Sequence, residues 1–318
     1  MGNESLFFVG PKGSSDHRAV RLFGALSGVD SHPMGSLWEV LETVDHTPDA
    51  LGIVPIENSI DGELMSVVDR VLFSTTRVLF AAEVVLSETI AVWAHRADAV
   101  PHRVVSHPEI LQVCHGWIAM NGLQSEAADA TSVACELVRA RRDPQLVALA
   151  PPEVGRSYGL TPLDEDPAGI GEMRTRYLLA SQRVGAPTGD DRTMLAITPP
   201  RDEPGVLATI LAAFSLHGVN LSSLTSRPLR TADGVPHHAF VVTADGHTAD
   251  DTVRAAIGEV LASGCAVRLL GVYPRWTGPD VVTPFGELPR GSVTAAEASA
   301  VLDPPSVRGG ARISSTAP

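Results

Sequence analysis

The chain has 318 residues, of which 44% are hydrophobic and 19% are charged, the balance of a polypeptide that buries cores and stays soluble. This length predicts more than one domain. The 24 Lys and Arg residues against 37 Asp and Glu give a formal net charge of -13, which argues against nucleic acid as a partner.

The cysteine pattern and the hydropathy exclude two further classes of protein. Cys114, Cys135 and Cys265 are widely spaced and form no CxxC pair, so we expect neither disulfides nor a structural zinc. No apolar run reaches the roughly 20 residues that cross a bilayer, and no secretory segment follows Met1. The sequence therefore predicts a cytoplasmic protein that does not bind a membrane.

The first part of the chain alternates between apolar runs typical of strands and amphipathic stretches typical of helices. In chain order, the pattern predicts strand 6–9, helices 19–26 and 37–44, strand 51–56, helix 62–72, strands 78–86, 90–94 and 103–106, helices 110–120 and 132–141, and strands 146–150 and 176–180. Such alternation is typical of α/β layers. Two lobes with a cleft between them would suit a small ligand.

A second domain follows the loop-forming cluster at 185–189. Its pattern predicts strand 193–198, helix 204–216, strands 219–226 and 239–244, helix 252–263 and strand 266–272. This βαββαβ order is the ferredoxin-like arrangement, an antiparallel sheet with two helices on one face. It contains no acid–base constellation, so we expect a sensing or oligomerising role.

The last segment, 279–318, is rich in Pro, Gly, Ser and Ala and poor in large apolar residues. Such a composition cannot repay the entropy of folding, so we predict a disordered tail. Its four acidic and three basic residues give a balance of -1. The acidity of the protein therefore belongs to the folded part.

One candidate site follows the strand at 51–56. Glu57, Asn58 and Ser59 end this strand and Gly62 comes shortly after, which places polar side chains where open α/β sheets bind ligands. The alternative is an ordinary turn whose Asn and Ser only cap the next helix.

A second candidate site is the run Arg174-Thr175-Arg176-Tyr177. An extended conformation would place Thr175 and Tyr177 on one face and the two guanidinium groups on the other, whereas a loop would let all four converge. Arg suits capture of a carboxylate, and a Thr hydroxyl beside it could protonate a leaving group. A strand edge with solvated arginines is the alternative.

These two runs, in this order, resemble the prephenate dehydratase family, which has a PIENS-type turn and a TRF-type motif. The supporting matches are Gly10-Pro11-Lys12-Gly13-Ser14, Ser106-His107-Pro108 with Cys114 and Trp117, and Tyr158-Gly159-Leu160. In the second domain, Pro204-Gly205-Val206-Leu207, Gly218-Val219-Asn220-Leu221 and Ser226-Arg227-Pro228 resemble an ACT domain. The implied fold is a two-lobed, periplasmic-binding-protein-like catalytic domain with an interlobe cleft (5–184), followed by a ferredoxin-like ACT domain (190–276).

The resemblance implies a cofactor-free and metal-free lyase of phenylalanine biosynthesis. Such an enzyme converts prephenate to phenylpyruvate with loss of CO2 and water. Thr175 is the implied catalytic residue, and Arg176 would steer a substrate carboxylate. Further implied cleft residues are Asn58, Ser59, Glu57, Ser14 and Tyr177. Because prephenate is a dianion, we expect positive potential around Arg176, Arg174 and Lys12.

The resemblance also implies a homodimer or homotetramer whose ACT domain binds phenylalanine. The implied effector residues are Leu207, Ala208, Asn220, Leu221, Ser226 and Arg227. Thr225 stands where the family has a Glu, so we expect weaker effector binding or a different effector. The alternative is an ACT domain that serves dimerisation alone.

Five positions depart from the family pattern: Ser15, Asp16, Val67, Val113 and Met173. Loss of polar cleft groups would suit a prephenate decarboxylase, which removes CO2 but keeps the ring hydroxyl. A catalytically inactive homologue that binds a small anion for regulation is the third possibility. Dehydratase is the function that we predict.

Overall fold

Two β-sheets organise the part of the chain that the computed structural model describes, residues 5–24, 28–167, 169, 171–229, 237–281 and 292. Residues 1–282 form one compact unit. The predicted tail lies outside the described residues except for Pro279, Asp280, Val281 and Ser292. Within the described residues, no helix is long and apolar enough to span a membrane.

The first lobe is built on six strands of the larger sheet. Its elements are β1 (Ser5–Val9), α1 (Ser15–Val20), β2 (Asp30–Met34), α2 (Leu37–His46), β3 (Ala50–Asn58), β4 (Gly62–Glu63), α3 (Met65–Ser74), β5 (Leu79–Glu88) and, much later in the chain, β11 (Met173–Ser181). The strand order is β5-β11-β3-β1-β2, with the short β4 beside β3. The strands β1, β2 and β3 are parallel, and β11 runs antiparallel to both of its neighbours.

The second lobe is formed by the chain between β5 and β11. Its elements are β6 (Ala91–Ala94), β7 (Arg103–Ser106), α4 (Pro108–Val113), α5 (His115–Met120), β8 (Gln124–Ala127), α6 (Thr131–Arg141), β9 (Leu146–Ala150), α7 (Pro152–Ser157) and β10 (Thr161–Asp164). The five strands form a separate sheet in the order β10-β6-β9-β7-β8. The chain therefore crosses between the lobes twice, after β5 and after β10.

The third region is the predicted small domain. Its elements are β12 (Asp191–Thr198), α8 (Val206–Leu216), β13 (Leu221–Leu229), β14 (His237–Asp245), α9 (Asp251–Ala262) and β15 (Ala266–Pro274). The strand order β13-β14-β12-β15, antiparallel throughout, is that of a ferredoxin-like sheet.

Side-chain alternation along β12 explains how the small domain is packed. Leu195 and Ile197 join a core with both helices, α8 and α9, whereas Met194 and Ala196 join the core of the first lobe. Neighbouring residues of a strand point to opposite faces of the sheet, so one face carries the helices and the other packs on the lobe. The predicted α/β fold, two lobes followed by βαββαβ, is confirmed.

Several element bounds differ from the sequence prediction. Helix α1 begins at Ser15, ahead of the apolar segment at 19–26. Its N-cap is Ser14, one of the three residues (Ser14, Ser15, Asp16) that the sequence offers for this position, and the Ser14 side chain accepts the N–H of His17. The end predicted for this helix, 25–26, lies outside the described residues. A turn at Cys114 interrupts the helix predicted over 110–120. Edge strand β2, whose sequence is DSHPM, has no apolar alternation and was therefore missed.

Candidate active site

The two candidate motifs pair with each other in adjacent strands. In the antiparallel pairing of β11 with β3, Thr175 lies opposite Asn58, and Arg176 lies opposite Glu57. A register shift follows, after which Tyr177 lies opposite Pro55. The sheet therefore brings together segments that are far apart in the sequence.

Beside this pair lies a cavity of about 190 Å³ between the two lobes. From the first lobe it is lined by Val9, Gly10, Ser14, Ser15, Asp16, Pro55, Asn58, Leu64, Glu88, Met173, Thr175 and Tyr177. From the second lobe it is lined by His107, Glu109, Ile110, Asp129, Ala130 and Thr131. The cleft predicted between the lobes is therefore present, with Thr175 in its wall.

The extended conformation of β11 settles the orientation of its side chains. Met173, Thr175 and Tyr177 alternate along the strand and line the interlobe cavity. Of the two conformations that the sequence left open, the strand is therefore the correct one. It follows that Arg174 and Arg176 point to the opposite face.

The structure does not bring Arg176 and Glu57, two of the predicted substrate-binding residues, to the cavity that Thr175 lines. Both line a different cavity, of about 240 Å³, on the other face of the sheet. Arg176 donates to Glu57 at 3.0 Å and to Glu83 at 2.8 Å, and it also pairs with Asp280. Burial opposes its charge, but these carboxylates raise the pKa of Arg176 above its ordinary value.

Asn58 and Ser59 hold the turn that follows β3. The side-chain oxygen of Asn58 accepts the N–H groups of Ile60 and Asp61, and its amide donates to Glu109 of the second lobe at 3.1 Å. The Ser59 hydroxyl accepts the N–H of Arg174 at 3.0 Å. Asn58 thus lines the cavity and links the lobes, whereas Ser59 fastens the turn to β11.

Ser14 and Tyr177, two other predicted cleft residues, both line the cavity. Besides capping α1, the Ser14 hydroxyl donates to the carbonyl of Val9 at 3.1 Å. Tyr177 is 2% exposed and donates from its hydroxyl to Asp16 Oδ1 at 3.2 Å. Burial raises the pKa of Tyr177 well above its ordinary value, so the phenol stays protonated.

Four acidic side chains line the cavity, and sequence reasoning missed them as site residues. They are Asp16, Glu88, Glu109 and Asp129. Among the described lining residues there is no Lys or Arg, so the positive potential expected from Arg176, Arg174 and Lys12 is not found in the cavity wall. A signal was available, since Asp16 follows Gly13-Ser14 closely and Glu109 follows His107-Pro108.

Burial and pairing reduce the negative charge of this lining. Burial raises the pKa of Asp16 to about 7, against the lowering effect of its Tyr177 hydrogen bond. Burial, with Asp61 nearby, also raises the pKa of Glu109. Glu88 pairs with Arg18, a buried residue of α1 that also reaches Glu153 of the second lobe at 3.2 Å.

The second lobe contributes the N-terminus of α6 to the cavity. Ala130 is the N-cap of this 11-residue helix, and both it and Thr131 line the cavity. The first N–H groups of a helix have no partner within it and attract anions. The buried hydroxyl of Ser132 in the same turn has no hydrogen-bond partner among the described residues.

The implied effector residues of the small domain lie in several places. Leu207 and Leu221 pack against the core of that domain, and Ala208 and Ser226 are exposed. Asn220 donates to Asp245 at 2.9 Å. Arg227 donates to Asp69 of α3 in the first lobe at 2.6 Å. Part of this set is therefore engaged within the chain.

Comparison with known proteins gives a consistent family assignment. The sequence profile of the prephenate dehydratase family matches residues 6–184, and that of the ACT domain matches residues 200–262. The prephenate dehydratase of Mycobacterium bovis is 31% identical over 292 residues, covering 86% of this chain and 87% of that protein.

Two solved structures resemble the whole described fold. The prephenate dehydratase of Arthrobacter aurescens in complex with L-Phe has a TM-score of 0.74 and 28% identity, covering 88% of this chain and 93% of that one. The prephenate dehydratase of Staphylococcus aureus has a TM-score of 0.71 and 27% identity, covering 85% and 99%. With a family profile that spans more than half of its 318 residues, this chain belongs to the prephenate dehydratase family and carries a C-terminal ACT domain.

Proposed function

We propose that this protein is a prephenate dehydratase, a lyase that converts prephenate to phenylpyruvate with loss of CO2 and water. The observation that carries the proposal is the pairing of Thr175 with Asn58 at an interlobe cavity in a chain of this family. Formation of the aromatic ring drives the reaction, so the enzyme has mainly to position the substrate and assist departure of the hydroxyl group.

The cavity supplies groups for both tasks. The hydroxyl of Thr175 is a very weak acid, so it acts through a preorganised hydrogen bond to the leaving oxygen rather than by titrating. Substrate carboxylates would be bound by the N-terminus of α6 at Thr131 and by the hydroxyl of Ser14, which would turn to the substrate from the Val9 carbonyl to which it donates here. These neutral donors take the role that Arg176 was expected to have.

The acidic lining has to accommodate a dianion. Arg18 neutralises Glu88, and the raised pKa values of Asp16 and Glu109 let both carboxyls take up protons. Binding of a dianion would favour this uptake further. We therefore expect prephenate to bind more tightly as the pH falls towards 6.

Decarboxylation without loss of water is the second candidate reaction. The observation that favours it is Met173, an apolar side chain that lines the cavity two residues from Thr175. An apolar wall there offers no hydrogen bond to a departing hydroxyl group. The ring carbon would then take the proton, and the hydroxyl would remain on the product.

One experiment separates these reactions and tests the main proposal. The purified protein is incubated with prephenate and the products are identified. Phenylpyruvate, recognised by its enol absorbance in base, is the expected product. A non-aromatic dihydro-hydroxyphenylpyruvate would establish the decarboxylase instead. Binding of prephenate without turnover would overturn both and indicate a regulatory homologue.

We propose in addition that the ACT domain binds phenylalanine as an effector. Support comes from the Arthrobacter aurescens relative, whose structure is a complex with L-Phe. Calorimetry with phenylalanine and, as the matched control, tyrosine tests this proposal, and heat from neither would leave dimerisation as the role of the domain. We also propose that the protein is a homodimer or homotetramer, which light scattering would test. We propose a cytoplasmic location, which cell fractionation would test.

A further inference from the structure

Asp16 lines the same cavity as Thr175. It lies in the first turn of α1, two residues after the capping Ser14. Tyr177, which shares a face of β11 with Thr175, holds Asp16 Oδ1 through a 3.2 Å hydrogen bond. The carboxyl group is therefore held by Tyr177 in the cavity that Thr175 also lines.

Among the described residues, no cationic side chain pairs with the carboxyl group of Asp16. From β5, Glu88 faces the cavity, but it pairs with Arg18 of α1. From the second lobe, Glu109, Asp129 and His107 face it. Burial lowers the pKa of His107, which is therefore neutral. Among the described residues, no ion pair includes Asp16.

The reaction consumes one proton, and the cavity must deliver it. Prephenate carries two negative charges and phenylpyruvate carries one, while CO2 and water are neutral. The Thr175 hydroxyl is too weak an acid to be the source. The Tyr177 phenol donates to Asp16 and stays protonated. A carboxylic acid that is partly protonated at neutral pH is a much better general acid.

We propose that Asp16 is the general acid of this enzyme, donating the proton from its Oδ2 to the substrate bound beside Thr175. The inference rests on the proposed function. The bond between the ring and its carboxylate breaks, and the electron pair forms a ring double bond. As that double bond forms, the existing double bond shifts towards the carbon that bears the hydroxyl, the C–O bond breaks with its electron pair on oxygen, and the proton of Asp16 joins this oxygen to give water. Solvent reprotonates the carboxylate.

The environment of Asp16 suits this role. Burial raises its pKa to about 7, so the carboxyl can hold a proton near neutral pH and release it to the substrate. Tyr177 donates to Oδ1, which leaves Oδ2 to carry the proton. The assignment holds for either product, because decarboxylation without dehydration also consumes one proton, placed on a ring carbon.

The test is the variant Asp16→Asn, which keeps the shape of the side chain and cannot donate an acidic proton. We expect kcat to fall about 100-fold or more, since general acids contribute 10²–10⁴-fold, with little change in KM. Asp143→Asn is the matched control, because Asp143 lies in the second lobe paired with Arg103; its kcat should stay within about twofold. Calorimetry with prephenate verifies that the Asn variant is folded and binds.

The pH dependence of kcat distinguishes a general acid from a structural residue, because loss of a purely structural contact would not change the shape of the pH profile. Wild-type kcat should fall as the pH rises through about 7, because only protonated Asp16 is active, and Asp16→Asn should lack this descending limb. Tyr177→Phe should move the limb to higher pH, since its hydrogen bond lowers the pKa of Asp16. Wild-type kcat and an unchanged limb in Asp16→Asn would overturn the inference. An inactive wild-type enzyme would instead overturn the proposed function.

Discussion

At the scale of single residues, alternation along β11 divides the TRF-type motif between two faces of the sheet. Thr175 and Tyr177 line the interlobe cavity, whereas Arg176 joins a buried ion-pair network on the other face. Glu83, whose side chain is fully buried, pairs there with Arg176 and Arg192. One short motif therefore contributes both to the wall of the cavity and to the ion pairs behind it.

We predict that Thr175→Ala lowers kcat by about 10²–10³-fold, as removal of a preorganised hydrogen-bond donor does, and changes KM much less. Steady-state kinetics with prephenate measures both values. Thr175→Ser, which retains the hydroxyl, should keep most of the activity. An equal loss of ground-state and transition-state binding, seen as a raised KM at constant kcat, would contradict the role of Thr175.

We predict that Arg176→Met destabilises the protein by about 3 kcal/mol, because it leaves buried carboxylates short of a partner. The KM for prephenate should stay near the wild-type value. Urea unfolding measures the stability. Arg174→Met is the matched control on the same face, since Arg174 pairs with the half-exposed Glu172 and such pairs contribute about 1 kcal/mol or less. A raised KM with unchanged stability would restore Arg176 as a substrate residue.

At the scale of elements, local capping signals fix where helices begin. Ser36 caps α2 by accepting the N–H of Glu39 at 3.3 Å, and Glu39 reaches back to accept the N–H of Gly35 at 3.1 Å. This reciprocal arrangement resembles a capping box. It positions α2, whose Val40, Leu41 and Val44 are buried in the core of the first lobe.

We predict that Ser36→Ala lowers the free energy of unfolding by about 1 kcal/mol, the usual cost of a lost N-cap. The active site should be unaffected, because Ser36 lies outside the cavity lining that the described residues form. Thermal unfolding checks the effect. Ser36→Thr preserves an oxygen at the cap and is the control; a loss of stability as large as that of the Ala variant would argue against the capping role.

At the scale of the whole molecule, the first lobe and the small domain share a sheet. The join is a single parallel bridge between Gly271 of β15 and Phe80 of β5. A Cβ atom at Gly271 would lie 2.6 Å from both the Cβ and the carbonyl oxygen of Phe80. The join therefore requires glycine on the β15 side.

We predict that Gly271→Ala destabilises the protein by about 2 kcal/mol, because a methyl group there overpacks a close backbone contact. Urea unfolding followed by fluorescence measures the change. Gly258→Ala is the matched control: Gly258 lies within α9, where an added Cβ meets nothing within 4 Å, so stability should rise by about 0.5–1 kcal/mol. An unchanged free energy of unfolding in Gly271→Ala would mean that β15 and β5 can move apart at this point without loss of stability.

The sequence by itself determined the two-lobed α/β fold with its βαββαβ domain, the two motifs that meet at the cavity, and the order of most elements. It did not predict β2, β4, β8, α7 and β10. The predicted features depend on local patterns, namely hydrophobic period, turn residues and caps, which the chain carries in short stretches. Edge strand β2 lacks such a pattern, and its strand conformation depends on pairing with β1.

Only the tertiary structure decided which side chains enter the cavity. Strand pairing assigns Thr175 to the interlobe face and Arg176 to the opposite one. The second lobe brings Glu109 to Asn58, and the packing of α1 places the half-buried Asp16 against Tyr177. These contacts join residues far apart in the chain, and the burial that raises the pKa of Asp16 comes from all of them together. No local pattern in the sequence encodes that burial.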